Sequence, residues 1–334
     1  MTRALVTGAN GFIGSNLTKL LAGKGWAVRG LVLKGTPEDF LEGLDVDIVY
    51  GDIVRPESLG VAVRDVDVVF HLAAIAADWG PAERFFKVNV EGTRNMLEAA
   101  AKAGARRFVF MSSPAVHKYN GHYKSTESVP RDCPTDFAYG RSKIEAEDLV
   151  NQMHGTGALE GVVIRTGLFP FGPNDTTSFY KLARVLERGM FSYVNGGRAK
   201  TSTAYVENLC SGVELAGSHP RAAGRTFIIA DDVDVSWKEL IERFCYELGV
   251  KPPKLSVPYG VADILAAAVE GAWSALRLSG EPPITRYRAR LMRRDLSFVS
   301  TRARRELGYE PAVSLDEGIR RTVAWYKSVR GRYG

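Results

Sequence analysis

The chain is expected to fold as an α/β protein, a Rossmann-type doubly wound parallel sheet with a smaller, mixed α/β C-terminal substrate lobe. Two observations predict this. A glycine-rich turn, Thr7-Gly8-Ala9-Asn10-Gly11-Phe12-Ile13-Gly14, follows a short apolar run at the N-terminus and opens a helical pattern. Beyond it, short β-branched runs alternate with amphipathic helical segments, the pattern of βαβ units covered on both faces.

In chain order, the strands are expected at Ala4–Thr7, Ala27–Leu33, Ile48–Tyr50, Val66–Leu72, Arg107–Met111 and Gly161–Ile164. Helices are expected at Phe12–Lys24, at Val90–Ala103 before the stop signal Gly104, and through Tyr139 to Gln152. Residues 1–165 thus read as a dinucleotide-binding domain. After Arg165 the pattern loosens into Gly/Pro-rich loops, so residues 166–202 and 233–334 read as a substrate-binding lobe. A helix at Tyr205–Gly217 and a strand at Thr226–Ala230 suggest that the chain returns to the sheet at about 203–232.

Composition narrows the function. The 334 residues are 45% hydrophobic and 25% charged, ordinary values for a soluble globular protein. The apolar run before the first glycines is too short for a secretory signal, which predicts a cytoplasmic location. Cys133, Cys210 and Cys245 are odd in number and widely spaced, as reduced thiols are, and no metal site is expected. Net charge is +6, with arginines concentrated in Thr285–Arg294, yet no nucleic-acid-binding motif is present. The apolar stretch Val261–Leu278 is broken by Asp263, Glu270 and Arg277, a poor bilayer-spanning pattern that still permits contact with a membrane surface. It reads as an apolar lid on a substrate pocket or as core of the second lobe.

The glycine turn is where a backbone can approach a pyrophosphate, with the N–H groups of the following helix as donors. Gly8, Asn10, Gly11, Phe12, Ile13 and Gly14 are the candidate residues. At the end of the second strand, Gly30-Leu31-Val32-Leu33-Lys34 lacks the acid that would take a ribose 2′-hydroxyl, and Lys34 is placed to meet a 2′-phosphate. The cofactor is therefore expected to be NAD(P)(H), with NADP favoured. Asp52, after the third strand, is a candidate acceptor for the adenine amino group or a helix cap.

Tyr139 and Lys143 stand four residues apart, on one face of a helix. A phenol is a weak base at neutral pH, and a neighbouring ammonium is expected to pull its pKa down. The strand Arg107–Met111 runs into Ser112-Ser113 at the sheet edge where α/β sites form, and Ser113, with Ser112 as competitor, is placed to hold the reacting oxygen. Ser113, Tyr139 and Lys143 are the catalytic candidates for moving a hydride at a secondary alcohol or ketone.

These motifs, with Gly51-Asp52, His71-Leu72-Ala73-Ala74, Asn89-Val90-Glu91-Gly92-Thr93 and Arg165 followed by Gly172-Pro173, resemble the extended short-chain dehydrogenase/reductase superfamily, also called the NAD-dependent epimerase/dehydratase family. The resemblance implies that the tyrosine is the acid/base, the lysine holds the nicotinamide ribose and the serine positions substrate oxygen. It also implies cofactor contacts from Ile53, Leu72, Ala73, Ala74, Asn89 and Thr166, water-mediated support of Lys143 by Asn89, and a homodimer. Thr166 stands where the family usually has proline. Tyr205-Val206-Glu207-Asn208-Leu209, Gly280-Glu281-Pro282-Pro283 and Leu307-Gly308-Tyr309-Glu310-Pro311 look most like the 3β-hydroxysteroid dehydrogenase and sterol-4-carboxylate 3-dehydrogenase branch, implying a sterol-like substrate.

A nucleotide-sugar 4-epimerase is the main alternative. Relatives of that kind carry an Arg-Asp pair where this chain has Thr201 and Ser202, although Arg198, Lys200 or the arginines near 290 could replace the missing contact. Pro114 and Ala115 after Ser113 argue against a sugar dehydratase, and the presence of Tyr139 argues against a non-catalytic NAD(P)-sensing regulator.

Overall fold

The computed structural model describes residues 1–333. Its central sheet is wholly parallel: β1 (Arg3–Thr7), β2 (Ala27–Val32), β3 (Asp47–Tyr50), β4 (Val68–His71), β5 (Arg107–Met111), β6 (Glu160–Thr166) and β7 (Thr226–Ile229). Their spatial order is β7-β6-β5-β4-β1-β2-β3. The direction of winding reverses between β1 and β4, and a crevice opens at the carboxyl ends of strands at such a switch point.

The strands are apolar because both of their faces are covered. Along β1, Ala4 and Val6 pack into one core layer and Leu5 into the other. The first layer is closed by α1 (Phe12–Gly23), and the second by α2 (Gly92–Lys102) and α3 (Ala138–Gly155), through residues such as Leu17, Leu97 and Val150. The helix expected from Val90 differs at its start: Phe86–Glu91 form a π-helical turn that runs into α2 and carries Asn89. One extra residue per turn re-aims side chains locally, a device common at functional sites.

The chain leaves the sheet after β6, forms α4 (Phe179–Glu187), and comes back through α5 (Val206–Ser218) to β7 at the edge. The remainder includes α6 (Trp237–Leu248), α7 (Tyr259–Ala275) and, after two short helices at Arg286–Leu291 and Thr301–Leu307, the long α8 (Leu315–Val329). A small mixed sheet joins Val235–Ser236, Lys200–Thr201, Leu296–Phe298 and His122–Ser125. The apolar stretch containing α7 does not fill the core of this lobe, contrary to one of the two expectations for it: only Ala266 of the helix is buried. Among the described residues, no helix is long and apolar enough to cross a membrane.

Candidate active site

The glycine turn sits between β1 and α1 at the switch point. Gly8 has φ +65°, and a Cβ at Gly14 would lie 2.0 Å from the Gly8 carbonyl oxygen, so the turn can close this tightly only without side chains. Gly11 caps α1 with no side chain, which leaves the first N–H groups of the helix open toward the crevice. A cradle without Cβ atoms at a helix N-terminus fits a dinucleotide pyrophosphate. The Asn10 amide donates to Thr36 Oγ1 and to the Pro37 carbonyl, both at 2.8 Å. It ties the turn to the loop after β2, where Lys34 is exposed.

Ser113, Tyr139 and Lys143 converge at the ends of β5 and α3. Ser112 is buried and donates to Glu147 Oε1 at 2.5 Å, whereas Ser113 is half-buried and its hydroxyl meets Tyr139. Ser113 also accepts the Ala115 N–H at 3.2 Å, so it caps the turn Pro114–Val116 as well as facing Tyr139. The next residue of α3 permits this approach: a Cβ at Gly140 would meet the Ala115 carbonyl oxygen at 2.4 Å.

The phenol shifts upward, where a downward pull by Lys143 was expected. Burial pushes Tyr139 above the ordinary range near 10, and only the Ser113 hydroxyl pulls it back. The Lys143 ammonium donates instead to the Met111 carbonyl at 2.8 Å and lies 4.8 Å from the Phe110 ring centroid. Burial brings its own pKa down to about 7, against the opposing pull of the Glu147 carboxylate.

Glu147, one turn beyond Lys143, was not singled out by the sequence reading. It accepts two bonds from Arg165, at 2.9 and 2.7 Å, with both side chains almost fully buried, and a third from Arg131 at 3.4 Å. This fork pins α3 to β6 and fixes the helix that carries the tyrosine and lysine. Beneath the crevice runs a second relay. Thr7 Oγ1 accepts the N–H groups of Leu72 and Ala73 at 3.1 and 3.0 Å, so its hydroxyl donates to His71 Nδ1 at 2.9 Å. His71 Nε2 then donates to Thr93 Oγ1 at 3.1 Å, and that hydroxyl donates to the Asn89 carbonyl at 2.7 Å. Burial holds His71 neutral, with a pKa of about 3.

The model of the NAD dependent epimerase/dehydratase family matches residues 4–230. The chain belongs to this family. A 2-alkyl-3-oxoalkanoate reductase of Stenotrophomonas maltophilia is 30% identical over 96% of this chain and 98% of its own length. A 3-beta-hydroxysteroid dehydrogenase of Mycolicibacterium neoaurum is 29% identical over 97% of this chain and 91% of its own. The UDP-glucuronic acid 4-epimerase of Bacillus cereus, solved with UDP-glucuronic acid and NAD, has a TM-score of 0.77 at 21% identity, covering 98% of this chain and 100% of the other; this likeness bears on fold alone.

Within this epimerase/dehydratase frame, the remaining predicted residues divide. Leu72, Ala73 and Ala74 are half-buried at the end of β4, facing the crevice mouth. Asp52 Oδ1 accepts the Val54 N–H at 3.1 Å, the turn-capping role, and its Oδ2 lies 4.0 Å from Arg55 Nε. Ile53 is buried, and its carbonyl accepts from Asn95 at 2.8 Å. Thr166 is buried with its hydroxyl donated to the Gly167 carbonyl at 2.7 Å. Asn89 braces the loop after β4: it accepts the Ile75 N–H at 2.8 Å and donates to the Ile75 carbonyl and to Ser142 Oγ, each at 3.0 Å. The brace connects that loop to α3 between Tyr139 and Lys143.

The wall beside Tyr139 is aromatic. Phe137 lies 5.9 Å and Phe85 6.3 Å from its ring, and Tyr287 stacks on Phe137 at 4.6 Å. The Tyr119 and Tyr287 hydroxyls are 3.2 Å apart. Tyr287 comes from the arginine-rich segment, which the sequence marked only for its charge. That segment is clasped to the loop after β4, where Asp78 accepts from Thr285 at 2.6 Å and pairs with Arg288 at 3.0 Å.

Proposed function

We infer that this chain is an NAD(P)-dependent oxidoreductase acting on a secondary alcohol or ketone of an apolar substrate, with sterol-like and long-chain oxo compounds as the favoured class. The observation that carries the reading is the aromatic wall beside Tyr139. Such a surface suits an apolar skeleton and offers nothing to a diphosphate. Several of the cations that could replace the missing Arg-Asp pair are already matched to acids of the chain, while Arg198 and Arg294 donate to the Asn195 and Asn120 carbonyls and Arg293 lies over the Tyr259 ring. Lys200 lies 3.3 Å from Asp234 and 3.7 Å from Glu239, Arg286 pairs with Asp263 at 3.2 Å, and Arg290 is 3.6 Å from Asp136. The names of the two relatives described above, a 3-oxoalkanoate reductase and a 3β-hydroxysteroid dehydrogenase, are of the same chemical kind.

The nicotinamide, when bound, supplies or accepts the hydride. Ser113 donates a hydrogen bond to the reacting oxygen, and Tyr139 passes it a proton in reduction or receives one in oxidation. Lys143, on the same helix face, stabilises the charge that the phenol gains as its proton leaves. Because burial alone raises the Tyr139 pKa, this assistance is needed for the phenol to act near neutral pH. Exposed Lys34, with no acid in the adjoining stretch 30–37, supports NADP(H) as the preferred form.

The test follows absorbance at 340 nm with NAD(H) or NADP(H), offering 3β-hydroxysterols, 3-ketosteroids and 2-alkyl-3-oxoalkanoates in one panel and UDP- or GDP-sugars, with epimer analysis, in another. Turnover is expected in the apolar panel, reduced roughly 10²- to 10⁴-fold in Tyr139→Phe with cofactor binding retained. A silent apolar panel together with an epimerised sugar would overturn this reading in favour of the nucleotide-sugar epimerase.

A further inference from the structure

Both acids of α7 are turned toward the protein. Asp263 accepts from Arg286 Nε and from the Tyr259 hydroxyl, each at 3.2 Å, and Glu270 accepts the Arg286 N–H at 2.8 Å. The opposite side carries no charge. Val261, Ile264 and Leu265 project from the helix at one-turn spacing, followed by Leu276, Leu278 and Ile284 from the loop beyond it, with Ile264 and Leu276 70% and 69% exposed. A monomeric protein rarely leaves so many large apolar side chains together in water unless they meet something.

The rim of this face is cationic. Exposed Lys251 and Lys254 precede the helix, Arg293 lies over the Tyr259 ring at 4.4 Å beside its first turn, and exposed Arg277 follows its last. Between residues 250 and 285 the acids are Asp263 and Glu270, the two already turned inward, and Glu281, which is paired with Lys181 at 3.0 Å and Arg288 at 2.9 Å. An apolar face with a positive rim, whose acids are all paired within the protein, complements an anionic lipid surface. It opposes pairing with a second copy through the same face, since two-fold contact would bring like-charged rims together.

We propose that α7 and the loop following it seat this chain on anionic membrane surfaces, lying in the headgroup region without crossing the bilayer. With 17 residues and two inward acids, the helix is built to lie flat. The segment continues directly into Tyr287 on the wall beside Tyr139, so the lipid-facing surface adjoins the catalytic crevice. This seat does not depend on which substrate is turned over.

Co-sedimentation of the full chain with vesicles of phosphatidylcholine alone, or with one-third phosphatidylglycerol, tests it. Binding is expected only to the anionic vesicles and is expected to weaken at high salt. Ile264→Asp with Leu265→Asp should abolish it, and Lys251→Glu with Lys254→Glu should weaken it at least about 25-fold, taking about five-fold for each cation lost. NADPH binding by fluorescence checks that each variant is folded. No sedimentation, or equal sedimentation with both vesicle types, would overturn the proposal. So would sedimentation analysis in which the parent is a dimer, Ile264→Asp with Leu265→Asp is a monomer and neither binds vesicles, because the face would then be a subunit interface.

Discussion

Glu147→Gln keeps the size of the side chain and removes its charge, leaving the Arg165 guanidinium, 4% exposed, without a counter-ion. Removing one partner from a buried pair costs about 3–5 kcal/mol, most of it from the charge left behind. Two features moderate the loss here. The glutamine carbonyl still accepts one bond, and Arg131, only half-buried, can turn to water and to Asp148, 2.7 Å away. The expected destabilisation is therefore at the lower end, about 3 kcal/mol, or roughly 1 M in urea midpoint for a chain of this size. A second readout separates positioning from mere stability: the carboxylate holds the Lys143 pKa up against burial, so its neutralisation should move that pKa further below about 7. The alkaline limb of kcat/KM should then shift to lower pH. Adding Arg165→Met to Glu147→Gln removes the orphaned charge and should restore part of the lost stability. An unfolding midpoint unchanged from the parent, or a double variant showing the simple sum of two losses, would refute the view that Glu147 serves as the buried counter-ion anchoring α3.

The Lys143 ammonium gives a pH signature of opposite direction to that of an ordinary stabilising ion pair. With a folded pKa of about 7 and an ordinary value near 10.5, the unfolded chain binds the proton that the folded chain lacks between those limits. The stability of the cofactor-free protein should therefore rise with pH across about 7 to 10, with a slope from this group of up to ~1.4 kcal/mol per pH unit, and Lys143→Met should remove that slope in chemical denaturation. Gly14→Ala places a methyl 2.0 Å from the Gly8 carbonyl oxygen and must spread the turn. NADH and NADPH binding should both weaken at least about 100-fold by fluorescence titration, about 3 kcal/mol, and affinity within three-fold of the parent would count against the cradle. Lys34→Glu should lower kcat/KM with NADPH relative to NADH by roughly 10- to 100-fold, the worth of one charge-assisted phosphate contact; an unchanged ratio rejects NADP preference through this residue.

The parts of this molecule that were legible in its sequence are those where local rules and global fold agree. Strands such as β5 are apolar because they are covered on both faces, and the glycine turn has a backbone geometry that few other residues tolerate. What escaped depends on side chains meeting across distant segments. Glu147 lies on the same helix stripe as Tyr139 and Lys143, but its partners Arg165, Arg131 and Ser112 come from three other segments. Spacing alone could not say that Lys143 would find the Met111 carbonyl, or that burial would raise the phenol against the Ser113 hydrogen bond. Gly140 did carry an unused signal: a glycine one residue into a helix pattern costs stability unless something must come close, and here that is the turn bearing Ser113. The same reasoning accounts for α7, where the lobe-core alternative failed. Its hydrophobicity argues for burial somewhere, yet its acids face the protein while Val261, Ile264 and Leu265 face outward, a placement that hydrophobicity alone does not reveal.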